Sequence, residues 1–289
     1  MKIKKYFLYV LYAAAVFLVF LYMLFPGRQM AERLSAALSE KFPEARIDVD
    51  RLTLAFPPGL KAESVQVSLK NGRDFQVDSV VIYPEFTTLI KEKKTAELNI
   101  NAFDGEIKGR VTADFPRGAA LSDLNLNFSR LKIQQLELQS GLSSAVVDFN
   151  AQGACQYPVL SADRIKGTGR IHLSGVNARI SSPFLDQLGI HQFKFDAVDI
   201  HYEQNNNTLT VLECIGTGAE FKKISLKGKV VLHPKFKKSR VSFKGELVPD
   251  PSCVSNLAGV SSMAALFSDA FKGIPFTVTG TFEKLNLSL

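Results

Sequence analysis

The stretch NAFDGEIKG, Asn101 to Gly109, sets two carboxylates, Asp104 and Glu106, on either side of Gly105. Such a pair performs acid–base chemistry when its surroundings push the two pKa values apart, which requires burial or a specific partner for one of them. In an extended strand, residues two apart share a face. Asp104 and Glu106 then point to water, and Phe103, Gly105 and Ile107 point the other way. If Asp104-Gly105 instead forms a two-residue turn, the carboxylates sit at its exposed tip. Neither arrangement supplies the buried partner, so the pair marks a strand or a hairpin and not a catalyst.

The other reactive side chains are as poorly placed for chemistry. His172, His191, His201 and His233 are scattered, with no HExxH spacing. Cys155, Cys214 and Cys253 contain no CxxC, so neither a zinc site nor a redox motif is indicated. A Cys155–Cys214 bridge and three free buried thiols both remain open. GVSSM, Gly259 to Met263, lacks the closing glycine of a nucleophile elbow, and Ala264 stands where an SxxK motif needs lysine. Gly167-Thr168-Gly169 lacks the rest of a GxGxxG loop. Asn206-Asn207-Thr208 fits a glycosylation acceptor pattern but is most simply a hairpin tip. The reading is a non-enzyme with no catalytic, metal or cofactor set.

The elements around these residues begin with YFLYVLYAAAVFLVFLYMLF, Tyr6 to Phe25, which carries no charge. Its roughly 20 residues at about 1.5 Å each span roughly 30 Å, the hydrocarbon thickness of a bilayer. Lys2, Lys4 and Lys5 precede it and Pro26-Gly27 ends it. The anchor residues expected to meet lipid and interface are Tyr6, Phe7, Tyr9, Phe17, Phe20, Tyr22 and Phe25. A secretory h-region is shorter than this and is followed by its cleavage site, whereas here the small residues Ala13 to Ala15 lie inside the run. The run therefore reads as an uncleaved single-pass anchor. The basic flank places residues 1–27 as cytoplasmic tip and anchor, and 28–289 as one exterior domain. That topology sets nucleic acid aside as a partner, despite a net charge of +7.

Arg28 to Phe42 repeats apolar residues at Met30, Leu34, Leu38 and Phe42, with Ala31 and Ala37 beside them, as an amphipathic helix does. From Arg46 onward the period drops to two, in a dozen or so short strands separated by Pro, Gly, Asn and Asp turns. The expected fold is mostly β: a mainly antiparallel sheet domain with one wet face and a few short helices. Those helices are expected around Phe86, Leu89 and Ile90, over Ser182 to Gly189, and from Leu257 to Phe271.

Glycine falls repeatedly on the apolar parity of these strands. The series are Phe103, Gly105, Ile107, Gly109; Ile165, Gly167, Gly169, Ile171; Leu226, Gly228, Val230; Val241, Phe243, Gly245; and Phe276, Val278, Gly280. Interior glycine marks a bend, a bulge or a close approach. The expectation is a curled sheet whose concave face is an apolar groove, with Ile107, Ile171, Leu226, Val230, Phe243 and Val278 as lining residues. The alternative is a closed sandwich in which the glycines relieve packing. Nine Lys or Arg and no acid lie between Lys222 and Lys244. Of these, Lys223, Lys227, Lys229, Lys235 and Lys237 share the outward parity. They read as a solvated face that protects a strand edge, or as a contact for an acidic partner or phospholipid headgroups.

The anchor, the first helix, the run LAFPPGLKAESVQVSL through YPEFTTLIKEKKTAELNINAFDGEIKG, and the ending IPFTVTGTFEKLNLSL resemble the type II secretion system protein N (GspN) family, within the wider AsmA-like group. The resemblance implies an inner-membrane protein with a large periplasmic β domain, serving as an accessory component of type II secretion. It carries over no catalytic residues. Related AsmA-like proteins have apolar grooves linked to lipid movement, so a lipid-binding or lipid-transfer module is the alternative. Other secretion subunits and a lipid in the groove are the partners these two readings imply.

Overall fold

The computed structural model describes residues 6, 9, 12–13, 16–17, 20, 22–41, 45–56, 58–69, 74–88, 90–114, 120–140, 143–160, 164–181, 192–219, 221–233, 238–250 and 273–288. The chain divides into two compact units, Met1–Phe86 with Ala96–Ala102, and Thr87–Thr95 with Phe103–Leu289. Among the described residues, fourteen strands follow one another in chain order, each antiparallel to its sequence neighbours. The expectation of a mostly β, mainly antiparallel protein is met. The sheet is a meander and not the two sheets of a sandwich.

In the first unit, one helix packs on the first of four antiparallel strands, the fourth of which contributes Ala96–Ala102. Residues 6, 9, 12, 13, 16, 17, 20, 22 and 23 are helical. Among the described residues no helix is long and apolar enough to cross a membrane. Phe7 lies outside them. The chain turns at Leu24 and restarts as α1 (Gly27–Lys41), followed by β1 (Ala45–Ala55), β2 (Gly59–Leu69) and β3 (Asp74–Pro84). Ala31, Val49, Leu52, Ala62 and Val65 form the buried core, with Phe25 and Leu34 packed against it.

α1 buries part of the face expected, with Ala31 buried and Leu34 and Leu38 half-buried. Met30 and Ala37 are exposed, and Phe42 is outside the described residues. Ala31, fully buried, leads the packed face, which also carries two serines. Ser35 Oγ accepts from the Val49 amide at 2.8 Å, and Ser39 Oγ accepts from the Ile47 amide at 3.2 Å. β1 pairs only with β2 among the described strands, so the helix satisfies donors that an edge strand would leave open. Gly27 is where this helix meets β1 most closely: a Cβ there would fall 1.9 Å from the Leu52 carbonyl oxygen. Tyr22 Oη donates to the Ala55 carbonyl at 2.8 Å, which ties the residues before α1 to the end of β1.

The second unit holds β5 (Gly105–Asp114), β6 (Ala120–Ser140), β7 (Ser143–Leu160), β8 (Ile165–Ser181), β9 (Gln192–Asn205), β10 (Thr208–Thr217), β11 (Phe221–Val231), β12 (Arg240–Pro249), β13 (Ile274–Thr281) and β14 (Lys284–Ser288). β4 (Lys93–Ala102) precedes them. Three strands are far longer than the short ones expected: β6, β7 and β8 have 21, 18 and 17 residues. The segments LNLNF and QQLELQ, which read as separate strands, are one strand, and Leu131 and Ile133 between them fall on the opposite sequence parity. β6 slips register against β7 between Phe128 and Leu131, and again between Ile133 and Leu136. Arg130 and Gln135 take φ of 56° and 53° at those two places. Each bulge adds one residue to β6, restoring the apolar face that the sequence parity abandons.

Three other expectations are corrected or fall outside the described residues. PEFTTLIKEKK gives only a 3₁₀ turn, Phe86–Thr88, with Phe86 and Ile90 exposed and Thr88 buried. Thr88 Oγ1 accepts from the Thr95 amide at 3.0 Å, so the turn serves to start β4 and not to dock apolar residues. The helices expected over 182–189 and 257–271 lie outside the described residues. The turn before β5 is centred on Phe103-Asp104, at φ of 54° and 56°, one residue earlier than Asp104-Gly105. The Asn206-Asn207 hairpin tip is where the sequence placed it, with Asn206 at φ 51°.

Candidate functional site: the two faces of the second unit

Register shows how the apolar positions line up across β5 to β13. Ile107 stands opposite Phe128, then in turn Gly153, Ile171, Ile200, Cys214, Leu226, Gly245 and Phe276. The next row runs Gly109, Leu126, Cys155, Gly169, Tyr202, Val211, Gly228, Phe243 and Val278. Val230 lies one row further along, between Leu209 and Val241. All six expected lining residues therefore share one face of one sheet. The rows contain no charged residue. Among the described residues of this unit there is no α-helix, and the buried apolar residues are only Ala151, Val176, Tyr202, Val211, Val230 and Val241.

Several glycines on this face lie beneath aromatic rings. A Cβ on Gly169 would lie 2.4 Å from the Tyr202 ring, and one on Gly167 would lie 2.2 Å from the Tyr157 ring. Gly245 lies under Phe276 in the same way, at 2.4 Å, while at Gly228 the Ser242 carbonyl oxygen, at 2.2 Å, comes before the Phe243 ring, at 2.6 Å. In each of these cases a cross-strand ring covers the bare backbone, as aromatic residues do for sheet glycines. Of the bend, bulge or close approach that interior glycine can mark, these positions show close approach. Two positions do bend: Gly175 at φ 59°, where β8 slips register against β7 between Ser174 and Asn177, and Gly280 at φ 121°.

One polar cluster interrupts the apolar rows. Tyr157 Oη donates to Gln204 Oε1 at 3.2 Å and stands 3.4 Å from Tyr202 Oη. Burial, and then the hydrogen bond with Tyr157, push the Tyr202 hydroxyl well above its ordinary value. Burial likewise raises the Cys155 and Cys214 thiols. Both cysteines are free. They stand on β7 and β10, three strand spacings or about 14 Å apart, well beyond the roughly 7 Å that a disulfide spans between Cα atoms. The bridge left open by the sequence is thus closed off for this pair. Cys253 lies outside the described residues.

The opposite face is wet. Glu106 pairs with Lys108 at 3.0 Å, and Asp104 is exposed in the turn. His172 Nδ1 is 2.8 Å from Asp199 Oδ1, both at least partly exposed. Sequence spacing missed this pair, since only register brings the two together across β8 and β9. No group of three or more metal-ligating side chains occurs among the described residues. Lys223, Lys227 and Lys229 are exposed on this face of β11, as their parity indicated; Lys235 and Lys237 are outside the described residues. β11 is paired on both sides, by β10 and β12. Protection of a strand edge therefore does not account for these lysines, because the edge in this unit is β14, three strands away.

Comparison with protein-family models, with curated proteins and with solved structures finds no match to this chain.

Proposed function

We propose that the chain is a non-enzymatic, membrane-anchored lipid-binding module of the cell envelope, held in the inner membrane by Tyr6 to Phe25, with its β-rich part in the periplasm. The observation that supports it is the run of uncharged cross-strand rows from Ile107 to Phe276 and from Gly109 to Val278. Eight spacings of about 4.8 Å make each row roughly 38 Å long, which exceeds the length of an acyl chain in one leaflet, roughly 15 Å. Bulges in β6 and β10 add twist, and in this reading they make the apolar face concave. Extraction of the full chain in mild detergent followed by native mass spectrometry is the test. Retained phospholipid, lost when Ile107 and Val278 are both changed to Gln without loss of the sheet's circular dichroism, fits the proposal. An empty protein under mild extraction refutes it.

A second reading, an accessory component of type II secretion, draws on the other end of this unit. Among the described residues β14 pairs only with β13, so its other backbone edge offers strand addition to another subunit. Deletion of the gene would then lower secretion of type II substrates. Unchanged secretion with altered outer-membrane lipid favours the first reading.

A further inference from the structure

On the wet face of β11 to β13, three adjacent rows repeat one chemistry. Lys227 stands opposite Lys244, and Lys244 opposite Thr277; Lys229 opposite Ser242, and Ser242 opposite Thr279; Val231 opposite Arg240, and Arg240 opposite Thr281. Each row carries at least one cation and ends in a threonine. All four cations are exposed. An open depression of about 400 Å³ lies among Lys229, Val231, Arg240, Ser242, Thr279 and Thr281, and its exposed lining is mostly apolar.

This arrangement opposes the sheet's own stability. Like charges directly opposite one another destabilise a strand pair, and Lys227 faces Lys244 across β11 and β12. Among the described residues none of Lys227, Lys229, Arg240 and Lys244 forms an ion pair. Counting the wet-face positions of β11 to β14, Lys223, Lys227, Lys229, Arg240, Lys244 and Lys284 stand against Glu246 alone, six cations to one acid. Both strands are interior, so no edge needs guarding there. What compensates such a surface is an anion outside the chain, and hydroxyl donors set between cations suit phosphate oxygens.

We propose that this face of β11 to β13 docks on the phosphate headgroups of an anionic phospholipid surface. The charge is spread over three rows and the depression is open, which matches an array of headgroups better than one enclosed ion. Polybasic surfaces gain about 1 kcal/mol per Lys or Arg near an anionic leaflet, about a fivefold change in partitioning for each charge. The face is opposite to the apolar one, so the inference stands whether or not a lipid occupies the latter.

The test places the full chain in phosphatidylcholine nanodiscs and floats it with vesicles of phosphatidylcholine, with or without phosphatidylglycerol. Co-flotation is expected only with phosphatidylglycerol, and it should fade as salt rises. Changing Lys227, Lys229, Arg240 and Lys244 together to Gln should lower it by roughly two to three orders of magnitude. The charge-conserving set with Lys227→Arg, Lys229→Arg, Arg240→Lys and Lys244→Arg should bind as the parent does. Equal flotation with both vesicles, no flotation with either, or a Gln variant that floats like the parent overturns the proposal. So does release by inorganic phosphate at a concentration matched to the lipid phosphate, which would assign the face to a free anion instead.

Discussion

Gly169→Ala is the sharpest perturbation of the second unit, because one methyl group tests why glycine occupies the apolar face. The added Cβ would lie 2.4 Å from Tyr202 Cε1 and Cζ and 2.5 Å from its hydroxyl oxygen. No real contact is that short, so the ring must lift. The Tyr202 side chain is buried, at 8% exposure, and lifting it also strains its 3.4 Å contact with the Tyr157 hydroxyl. Overpacking costs about 1–3 kcal/mol and a lost hydrogen bond about 1 kcal/mol, so the expected loss is about 2–4 kcal/mol. For a unit of this size that corresponds to a fall in Tm of roughly 5–15 °C. The assay is thermal unfolding of the full chain in detergent, followed by far-ultraviolet circular dichroism, for Gly169→Ala, Tyr202→Ala and the double variant. If the ring is the cause, removing it relieves the clash, and the double variant loses less than the sum of the singles by about 1–3 kcal/mol. Additive losses, or a Gly169→Ala protein that melts with the parent, would show that the glycine is there for backbone freedom and refute the packing argument. Gly175→Ala is the matched control: its nearest atom is 3.7 Å away but its φ is +59°, so it should lose about 1–2 kcal/mol from conformation alone, whatever stands at 202.

Other outcomes follow from the same geometry. Gln135→Gly should be neutral or stabilising by up to about 1 kcal/mol, since glycine accepts the φ of 53° at that bulge, while Gln135→Val should cost more than 1 kcal/mol; melts of the two variants check this, and the opposite order would sink the bulge account. Burial raises the Cys155 and Cys214 thiols above the ordinary 9.0. Their contribution to stability is therefore complete below that value and is lost as pH climbs through the raised folded values, because the unfolded chain ionises first. Stability should fall above about pH 9, and less steeply in Cys155→Ser with Cys214→Ser; a rise in Tm over that range contradicts the assignment. At pH 8 both thiols should alkylate more slowly in the folded chain than in urea, and mass analysis without reductant should show no bridge between them.

Much of the architecture was legible in the sequence, because a sheet with one apolar face writes its period into the chain. The alternation placed Ile107, Ile171, Leu226, Val230, Phe243 and Val278 on one face and Lys223, Lys227 and Lys229 on the other, and register agrees. Asn206-Asn207 marked its own turn, since few residues besides Asn and Gly tolerate that backbone. Where parity broke, the sequence misled: Arg130 and Gln135 are bulge residues inside β6, and nothing in their identity announces a positive φ. The serines on the packing face of α1 went unread for a related reason. Ser35 and Ser39 bond to β1 amides, and periodicity counts only apolar residues.

The sequence by itself determined the period, the two faces and the uncharged run at Tyr6 to Phe25, because these depend on side-chain spacing along one chain. Only the tertiary structure decided what each residue stands against. Register set Tyr202 over Gly169, Lys227 against Lys244, His172 beside Asp199, and Cys155 too far from Cys214 to pair. Cross-strand partners are chosen by turns and bulges many residues away, and a shift of one residue would have exchanged every one of them.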